Sequence, residues 1–178
     1  MNTIKNLIIL SIFLFAGKAS AQQISSVELQ VTGLTCSMCS QATDESLRTL
    51  DFIENIEPDL NKNIFLLTFK KDKVVDFDQI KDKVEDAGFF VGNLDAVFNF
   101  ENTKIDDKGL AMAGTNVYQF LNAKDKTLNG PVKATVVDKK FMSGSTFKKK
   151  AAQIKLESFA SGTGMVNGKM TRIYHLSI

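Results

Sequence analysis

The chain has few of the residues on which disulfide-rich scaffolds and many enzymes depend. Among its 178 residues are two cysteines, two prolines and a single histidine. Two cysteines form at most one disulfide, so the sequence excludes a scaffold held together by several disulfides. The fold must therefore rest on an apolar core, for which 14 phenylalanines and many aliphatic side chains are available.

The usual signatures of catalysis are also missing. His175, the only histidine, has no recognisable serine and aspartate partners in the sequence. We find neither a pair of carboxylates that would share a pocket nor a glycine-rich phosphate loop. These absences predict that the protein is not an enzyme.

Only the N-terminus contains a long apolar run. The segment LIILSIFLFA (residues 7–16) follows the basic start MNTIK and precedes ASA (residues 19–21). This order is typical of a secretory signal peptide, and the run is too short to span a bilayer, which needs about 20 apolar residues. We predict cleavage after Ala21 and a periplasmic or otherwise exported protein without stable membrane insertion; a retained membrane anchor is the alternative.

Charge is distributed unevenly along the rest of the chain. Residues 22–94 contain 7 Lys and Arg against 13 Asp and Glu, and residues 95–178 contain 13 against 7. The net charges of −6 and +6 predict two domains with this boundary. The two halves would either dock on each other or face different partners, unless both charged surfaces are merely solvated.

The acidic half has the order β-α-β-β-α-β. Val27, Leu29 and Val31 alternate with polar residues as in a half-buried strand. Asp76 and Gly88 are suited to begin and end a helix. The predicted strands are 25–31, 52–60, 64–70 and 89–94, and the predicted helices are 37–50 and 76–88. This order predicts an α+β fold, a ferredoxin-like sandwich with both helices on one face of an antiparallel sheet.

The two cysteines belong to the stretch VTGLTCSMCSQ at the start of the first helix. Cys36 falls in the loop after the first strand and Cys39 in the first helical turn. The positive end of a helix favours thiolate over thiol. Two sulfurs suit copper(I) or mercury(II), whereas a structural zinc(II) site normally has four ligands. We expect Met38 to pack on the loop rather than to bind metal.

Two other interpretations of the cysteine pair stay open. One is a structural disulfide, and the other is a thiol–disulfide oxidoreductase. The residues between the cysteines, Ser37 and Met38, and the lack of a suitably placed proline argue against the enzyme. An exported compartment is oxidising, so the pair can be a disulfide without that being its task.

GLTCSMC (residues 33–39), the strand and helix order, and VEDAGFFV (residues 84–91) together resemble the heavy-metal-associated domain. The resemblance covers about residues 26–94. The positions that match the family pattern are Gly33, Thr35, Cys36, Cys39, Asp44, Leu47 and Gly88. Two positions depart from it: Leu34 stands where methionine is usual, and Thr43 where valine or isoleucine is commoner.

The resemblance implies that Cys36 and Cys39 are metal ligands. It implies capture of copper(I), with mercury(II) or zinc(II) as alternatives, and transfer by thiolate ligand exchange. The implied partner is a metal-transporting ATPase or another exported copper protein, and a dimer bridged by one metal ion is compatible with the family. Thr35 resembles copper-type members, and Phe89 falls where the family places a residue near the metal loop.

The basic half resembles no family that we recognise. Its predicted strands are 115–122, 131–138, 153–160 and 168–178, with a short helix at 145–152 and a hairpin turn at VNGK (residues 166–169). This pattern predicts a small β barrel or sandwich, of the OB-like kind. On the last strand, we expect His175 to have one face in solvent.

Two groups of residues in this half suggest ligands. Lys139, Lys140 and Lys148–Lys150 form a basic cluster, which we interpret as a solvated face or a site for an anionic partner, not for nucleic acid. Thioethers and a histidine can bind copper(I), as could Met112, Met142, Met165 and Met170 with His175. We nevertheless expect these methionines to fill the core.

Overall fold

The structure, a computed structural model, describes residues 23–178. The predicted signal peptide at residues 1–21 lies outside the described residues, so cleavage and export stay predictions. Within residues 23–178, none of the helices has the length and hydropathy needed to cross a membrane.

Nine strands and four helices follow one another in the described part of the chain. The strands are β1 (Ile24–Thr32), β2 (Ile53–Asp59), β3 (Ile64–Phe69), β4 (Phe90–Ile105), β5 (Leu110–Ala113), β6 (Asn116–Phe120), β7 (Lys126–Val136), β8 (Thr163–Val166) and β9 (Lys169–Ser177). The helices are α1 (Ser37–Arg48), α2 (Phe77–Asp86), α3 (Gly144–Gln153) and α4 (Glu157–Ser161).

The first four strands and two helices form the predicted ferredoxin-like sandwich. The strands lie in the order β2-β3-β1-β4, and each neighbouring pair is antiparallel. Val27, Leu29 and Val31 are buried, which confirms the alternation predicted for β1. Leu47 of α1 and Ile80 of α2 reach the same core with no exposed surface.

α2 begins and ends at the predicted residues. The carboxylate of Asp76 accepts the backbone N–H groups of Asp78 at 2.9 Å and Gln79 at 3.3 Å. The side-chain amide of Gln79 donates back to Asp76 at 3.1 Å. Gly88 then adopts φ +90°, a left-handed conformation that commonly ends a helix.

β4 is sixteen residues long and belongs to both halves of the chain. Residues 90–98 pair with β1, and the strand pairs with β7 from Asp95 onwards. The boundary predicted between residues 94 and 95 falls inside this strand. The sheet therefore passes from one half into the other without a linker, and the division into two domains stays a prediction.

Beyond β4 the sheet continues in the order β7-β9-β6-β5, and β8 pairs with β9. The described sheet is open, with β2 at one edge and β5 at the other, so the predicted barrel of OB-like form is wrong. A barrel closes only when its first and last strands pair. Here the first strand of the second half is β4, and β1 already occupies its other side.

The strand predicted at residues 153–160 is also wrong. α3 extends to Gln153, and α4 then covers Glu157–Ser161. Phe159 of α4 is buried, because its ring stacks on Phe147 at 5.2 Å and meets His175 edge-on at 5.1 Å. Burial of this one ring outweighs the weak strand pattern of the segment.

The predicted hairpin turn is confirmed. β8 and β9 are antiparallel, and Asn167 and Gly168 between them have φ +50° and +78°. Two successive residues with positive φ match the twist of the flanking strands.

The two halves share one core and pair their opposite charges. Phe77 of α2 lies edge-on to Phe98 at 6.1 Å and to Tyr174 at 5.3 Å. Three ion pairs join acidic residues of the first half to basic residues of the second. They are Glu28–Lys133 at 2.6 Å, Glu85–Lys140 at 3.0 Å and Asp78–Arg172 at 2.7 Å. The uneven charge therefore acts, at least in part, between the halves of one chain.

Candidate metal centre

The cysteine loop lies at the junction of β1 and α1. After Thr32 the chain turns at Gly33, whose φ of +94° favours glycine. The ring of Phe89 lies 3.5 Å from the position that a Cβ on Gly33 would take. Leu34 is partly buried against the main core, so it packs the loop as expected of a methionine replacement.

Cys36 is the N-cap of α1. Its backbone is extended, with φ −150° and ψ 160°, and its Sγ accepts the backbone N–H of Cys39 at 3.2 Å. Cys36 is exposed and Cys39 is half-buried. The N–H donor and the positive end of the helix both stabilise negative charge on this sulfur after reduction.

In this structure the two cysteine sulfurs are joined as a disulfide, and the two Cα atoms lie 5.2 Å apart. The spacing therefore brings both sulfurs to one point beside the first turn of α1. Reduction takes up two electrons and two protons and gives two thiols. Any metal binding by this pair requires that reduced state.

Two neighbours of the cysteines depart from expectation in instructive ways. The hydroxyl of Thr43 donates to the backbone carbonyl of Cys39 at 3.1 Å, and Thr43 is completely buried. Its hydroxyl is thus satisfied within the helix, which explains how threonine occupies a core position. The prediction that Met38 packs on the loop is wrong, since 77% of this residue is exposed.

The surroundings offer no further ligands of the usual metal-binding types. Within residues 23–178, no group of three or more His, Cys, Asp or Glu side chains is arranged to hold a metal ion. A four-ligand zinc(II) site in one chain would need two more such donors. The donor set in the described structure is therefore the two sulfurs, which fits a soft ion.

The methionines of the second half do not fill the core, so that expectation is wrong. Met112, Met165 and Met170 are 55%, 65% and 60% exposed. Met142 is half-buried and lines a cavity of about 680 Å³. His175 has no exposed surface, so it cannot join these thioethers around one ion.

The structure connects three residues that the sequence analysis left unconnected. Asp138 lies 2.5 Å from His175 Nδ1, and Ser158 Oγ lies 2.9 Å from His175 Nε2. Both predictions about His175, that it lacks partners and that it faces solvent, are wrong. The sequence carried no signal for this set, because its members are 17 to 37 residues apart and Ser158 was placed in a strand.

This Asp–His–Ser arrangement has the geometry of a hydrolytic triad but not its access. Asp138 is 2% exposed and His175 has no exposed surface. Arg172 holds the second carboxylate oxygen of Asp138 at 3.1 Å. Neither of the cavities of about 810 and 680 Å³ in the described structure includes Ser158. The three side chains join α4 to the end of β7 and to β9.

The lysine cluster forms one face at the end of β7 and on α3. Lys139, Lys140, Lys148 and Lys149 are exposed, and Lys150 is half-buried. Lys140 is engaged by Glu85. The face is thus solvated as expected, and an anionic partner for it stays a prediction.

Comparison with known families resolves what the first half is. The model of the heavy-metal-associated domain matches residues 28–90, which include the cysteine loop and both of the first two helices. Residues 28–90 are a heavy-metal-associated domain. The resemblance carried by GLTCSMC and VEDAGFFV is confirmed, with Leu34 and Thr43 as tolerated departures.

Relatives of this heavy-metal-associated domain carry copper in their names. A stretch of 73 residues, 41% of this chain, is 30% identical to a probable copper-exporting P-type ATPase of Archaeoglobus fulgidus, and it spans 9% of that protein. The yeast copper transporter domain Ccc2a is 33% identical, over 38% of this chain and 90% of that domain, with a TM-score of 0.34. A CopZ metallochaperone is 28% identical, over 38% of this chain and 98% of that protein, with a TM-score of 0.35.

Proposed function

We propose that the heavy-metal-associated domain of this chain captures copper(I) between Cys36 and Cys39 and passes it to another protein. The observation that carries the proposal is the position of Cys36 as the cap of α1, where its sulfur accepts an N–H and faces solvent. Copper in the names of the ATPase, of Ccc2a and of the CopZ metallochaperone's relatives supports the choice of metal.

Capture begins from the reduced pair. Two thiols release two protons, and two Cu–S bonds form, so the bound unit carries one net negative charge. The positive end of α1 stabilises that charge. The two sulfurs satisfy copper(I), which accepts two or three soft ligands, and leave room for a third.

Transfer proceeds by ligand exchange. A thiolate or thioether of the partner adds to the ion, and one cysteine then leaves, so that copper is never released as a free ion. Cys36 is the more exposed of the two cysteines and is the natural first contact. A metal-transporting ATPase or another exported copper protein is the proposed partner, and a second copy of this chain could share one ion through four sulfurs.

The setting of this function is the periplasm or another exported compartment, after removal of residues 1–21. The disulfide between Cys36 and Cys39 matches such an oxidising compartment. Reduction then controls when the domain takes up copper. The protein acts as a carrier and not as an enzyme.

A titration tests the copper proposal. Fully reduced protein is titrated without oxygen with copper(I) against a chelator, beside the double variant Cys36→Ser/Cys39→Ser. We expect the wild type to take copper(I) from the chelator at one ion per chain, and the variant to lose this tight site. Equal affinity in both proteins would refute the proposal, and tighter binding of mercury(II) at matched competition would favour a mercury scavenger.

The observed disulfide also warrants a test for a thiol–disulfide oxidoreductase. An insulin-reduction assay measures whether the reduced pair turns over a protein disulfide. We expect no turnover above that of a small dithiol. Turnover that is lost in Cys36→Ser would replace the carrier proposal.

A further inference from the structure

Met165 and Met170 lie directly opposite each other on the hairpin of β8 and β9. The pair next to the two-residue turn is Val166 with Lys169, and the methionine pair follows it. In such a hairpin the second pair is the one without mutual hydrogen bonds, whose side chains come closest, with Cβ atoms about 4.5–5.5 Å apart. Two thioethers therefore reach a common point on the surface.

The opposite face of the hairpin fixes this arrangement. Val166 and Ile173 are buried in a small apolar cluster with Val117, and Leu110 packs against it. A shift of one residue in register would turn Val166 outward and Met165 inward. The register that buries Val166 thus holds both thioethers on the outer face.

Folding does not account for two exposed methionines at this place. Full burial of a methionine side chain is worth about 1.5–3 kcal/mol. Met165 and Met170 keep 65% and 60% of their surface exposed, so neither residue obtains most of that stabilisation. A surface pair of soft donors is therefore explained by what it binds.

We propose that Met165 and Met170 bind one copper(I) ion through their Sδ atoms, at a site separate from the cysteine loop. Thioethers are soft, neutral ligands that suit copper(I) and not magnesium or calcium ions. In the disulfide state seen here the cysteines cannot bind metal, whereas the thioethers can. The two ligands leave an open coordination position through which the ion can be passed on.

The charges around the pair permit a cation. Arg172 follows Met170 by two residues, and its guanidinium is paired with Asp78 at 2.7 Å and with Asp138 at 3.1 Å. Its positive charge is therefore compensated. Because no thioether proton is released, binding at this site stays constant at acidic pH, where thiolate sites weaken.

Met112 is close to the hairpin but is not assigned as a ligand. Its Sδ lies 3.8 Å from the side-chain nitrogen of Asn167 in the turn. On β5 and β6 it stands opposite Val117, a member of the cluster beneath the hairpin. We therefore place it toward the other face of the hairpin.

The test uses the full chain as Cys36→Ser/Cys39→Ser, so that its outcome does not depend on the cysteine site. Copper(I) is titrated without oxygen against a weak chelator, and the ¹³C ε-methyl signals of the methionines are followed by NMR. We expect one ion to bind and the signals of Met165 and Met170 to move together. Adding Met165→Leu and Met170→Leu should weaken binding about tenfold or more.

Two single variants serve as controls in the same background. Met142→Leu and Met112→Leu keep the size of the side chain and should leave copper(I) affinity unchanged. Because Met165 and Met170 are exposed, their replacement by leucine should not unfold the protein, and circular dichroism checks this. Binding that survives the double leucine change, or that is lost equally in either control, would overturn the proposal.

Discussion

Replacing Arg172 with methionine (Arg172→Met) should destabilise the folded protein by about 3 kcal/mol. The guanidinium donates to Asp78 at 2.7 and 3.2 Å and pairs with Asp138 at 3.1 Å. It also donates to the backbone carbonyls of Gly162 at 3.0 Å and Ile173 at 2.6 Å. One side chain thereby ties α2 of the first half to β9 and β7 of the second.

The magnitude follows from the exposure of the two carboxylates. The Asp138 side chain is 4% exposed, so the loss of its charged partner costs about 2 kcal/mol. The cost stays below the 3–5 kcal/mol range of a fully uncompensated buried charge, because His175 still donates to Asp138. The Asp78 side chain is 35% exposed, so solvent screening limits its share to about 1 kcal/mol.

The effect should also depend on pH. Burial raises the pKa of Asp78, but the hydrogen bond and the charge of Arg172 outweigh burial and hold this pKa below its usual value. A carboxylate with a lowered pKa stabilises the folded state above the unfolded pKa of about 3.9, and that contribution is lost as the pH falls through the folded pKa. The stability difference between wild type and variant should therefore shrink below about pH 4.

Urea unfolding followed by circular dichroism measures the difference, with Lys133→Met as the matched control. Lys133 also joins the two halves, through Glu28, but both side chains are about half exposed, at 54% and 48%. We expect its loss to cost no more than about 0.5 kcal/mol. Equal destabilisation by the two changes, or a difference that grows as the pH falls, would refute the reasoning from burial.

Three further changes test local features. Ser158→Ala leaves Nε2 of the buried His175 without its partner and should cost about 1–3 kcal/mol in thermal unfolding while leaving copper(I) affinity unchanged. Gly33→Ala should cost about 1 kcal/mol or more and loosen the cysteine loop, because φ is +94°; Gly144→Ala, with open space around it and an ordinary φ, should be neutral or stabilising in the same scan. Thr43→Val should change stability by less than about 1 kcal/mol and leave metal affinity intact, and a large loss of affinity would show that the hydroxyl supports the loop.

Local patterns predicted the heavy-metal-associated domain well. The alternation of Val27, Leu29 and Val31, and the cap at Asp76, are written in adjacent residues, so they are visible without a tertiary structure. The cysteine pair was placed correctly at the start of α1 for the same reason. Its metal ligation stays a prediction.

The second half resisted prediction because its structure depends on distant contacts. The helix α4 forms where Phe159 packs between Phe147 and His175, and no spacing within residues 153–160 signals that burial. The side chain of His175 was expected to reach solvent from its position in a strand. Asp138, 37 residues earlier, captures it instead.

By itself, the sequence determined the order of elements in the first half, the caps of its helices and the meeting of two sulfurs at a helix start, since each depends on residues within one or two turns of chain. The tertiary structure alone decided that β4 carries one open sheet through both halves and that Arg172 bridges two carboxylates. It also placed two thioethers side by side on an exposed face. These features arise from pairing between segments far apart in sequence, where the free energy depends on which surfaces meet and not on local pattern.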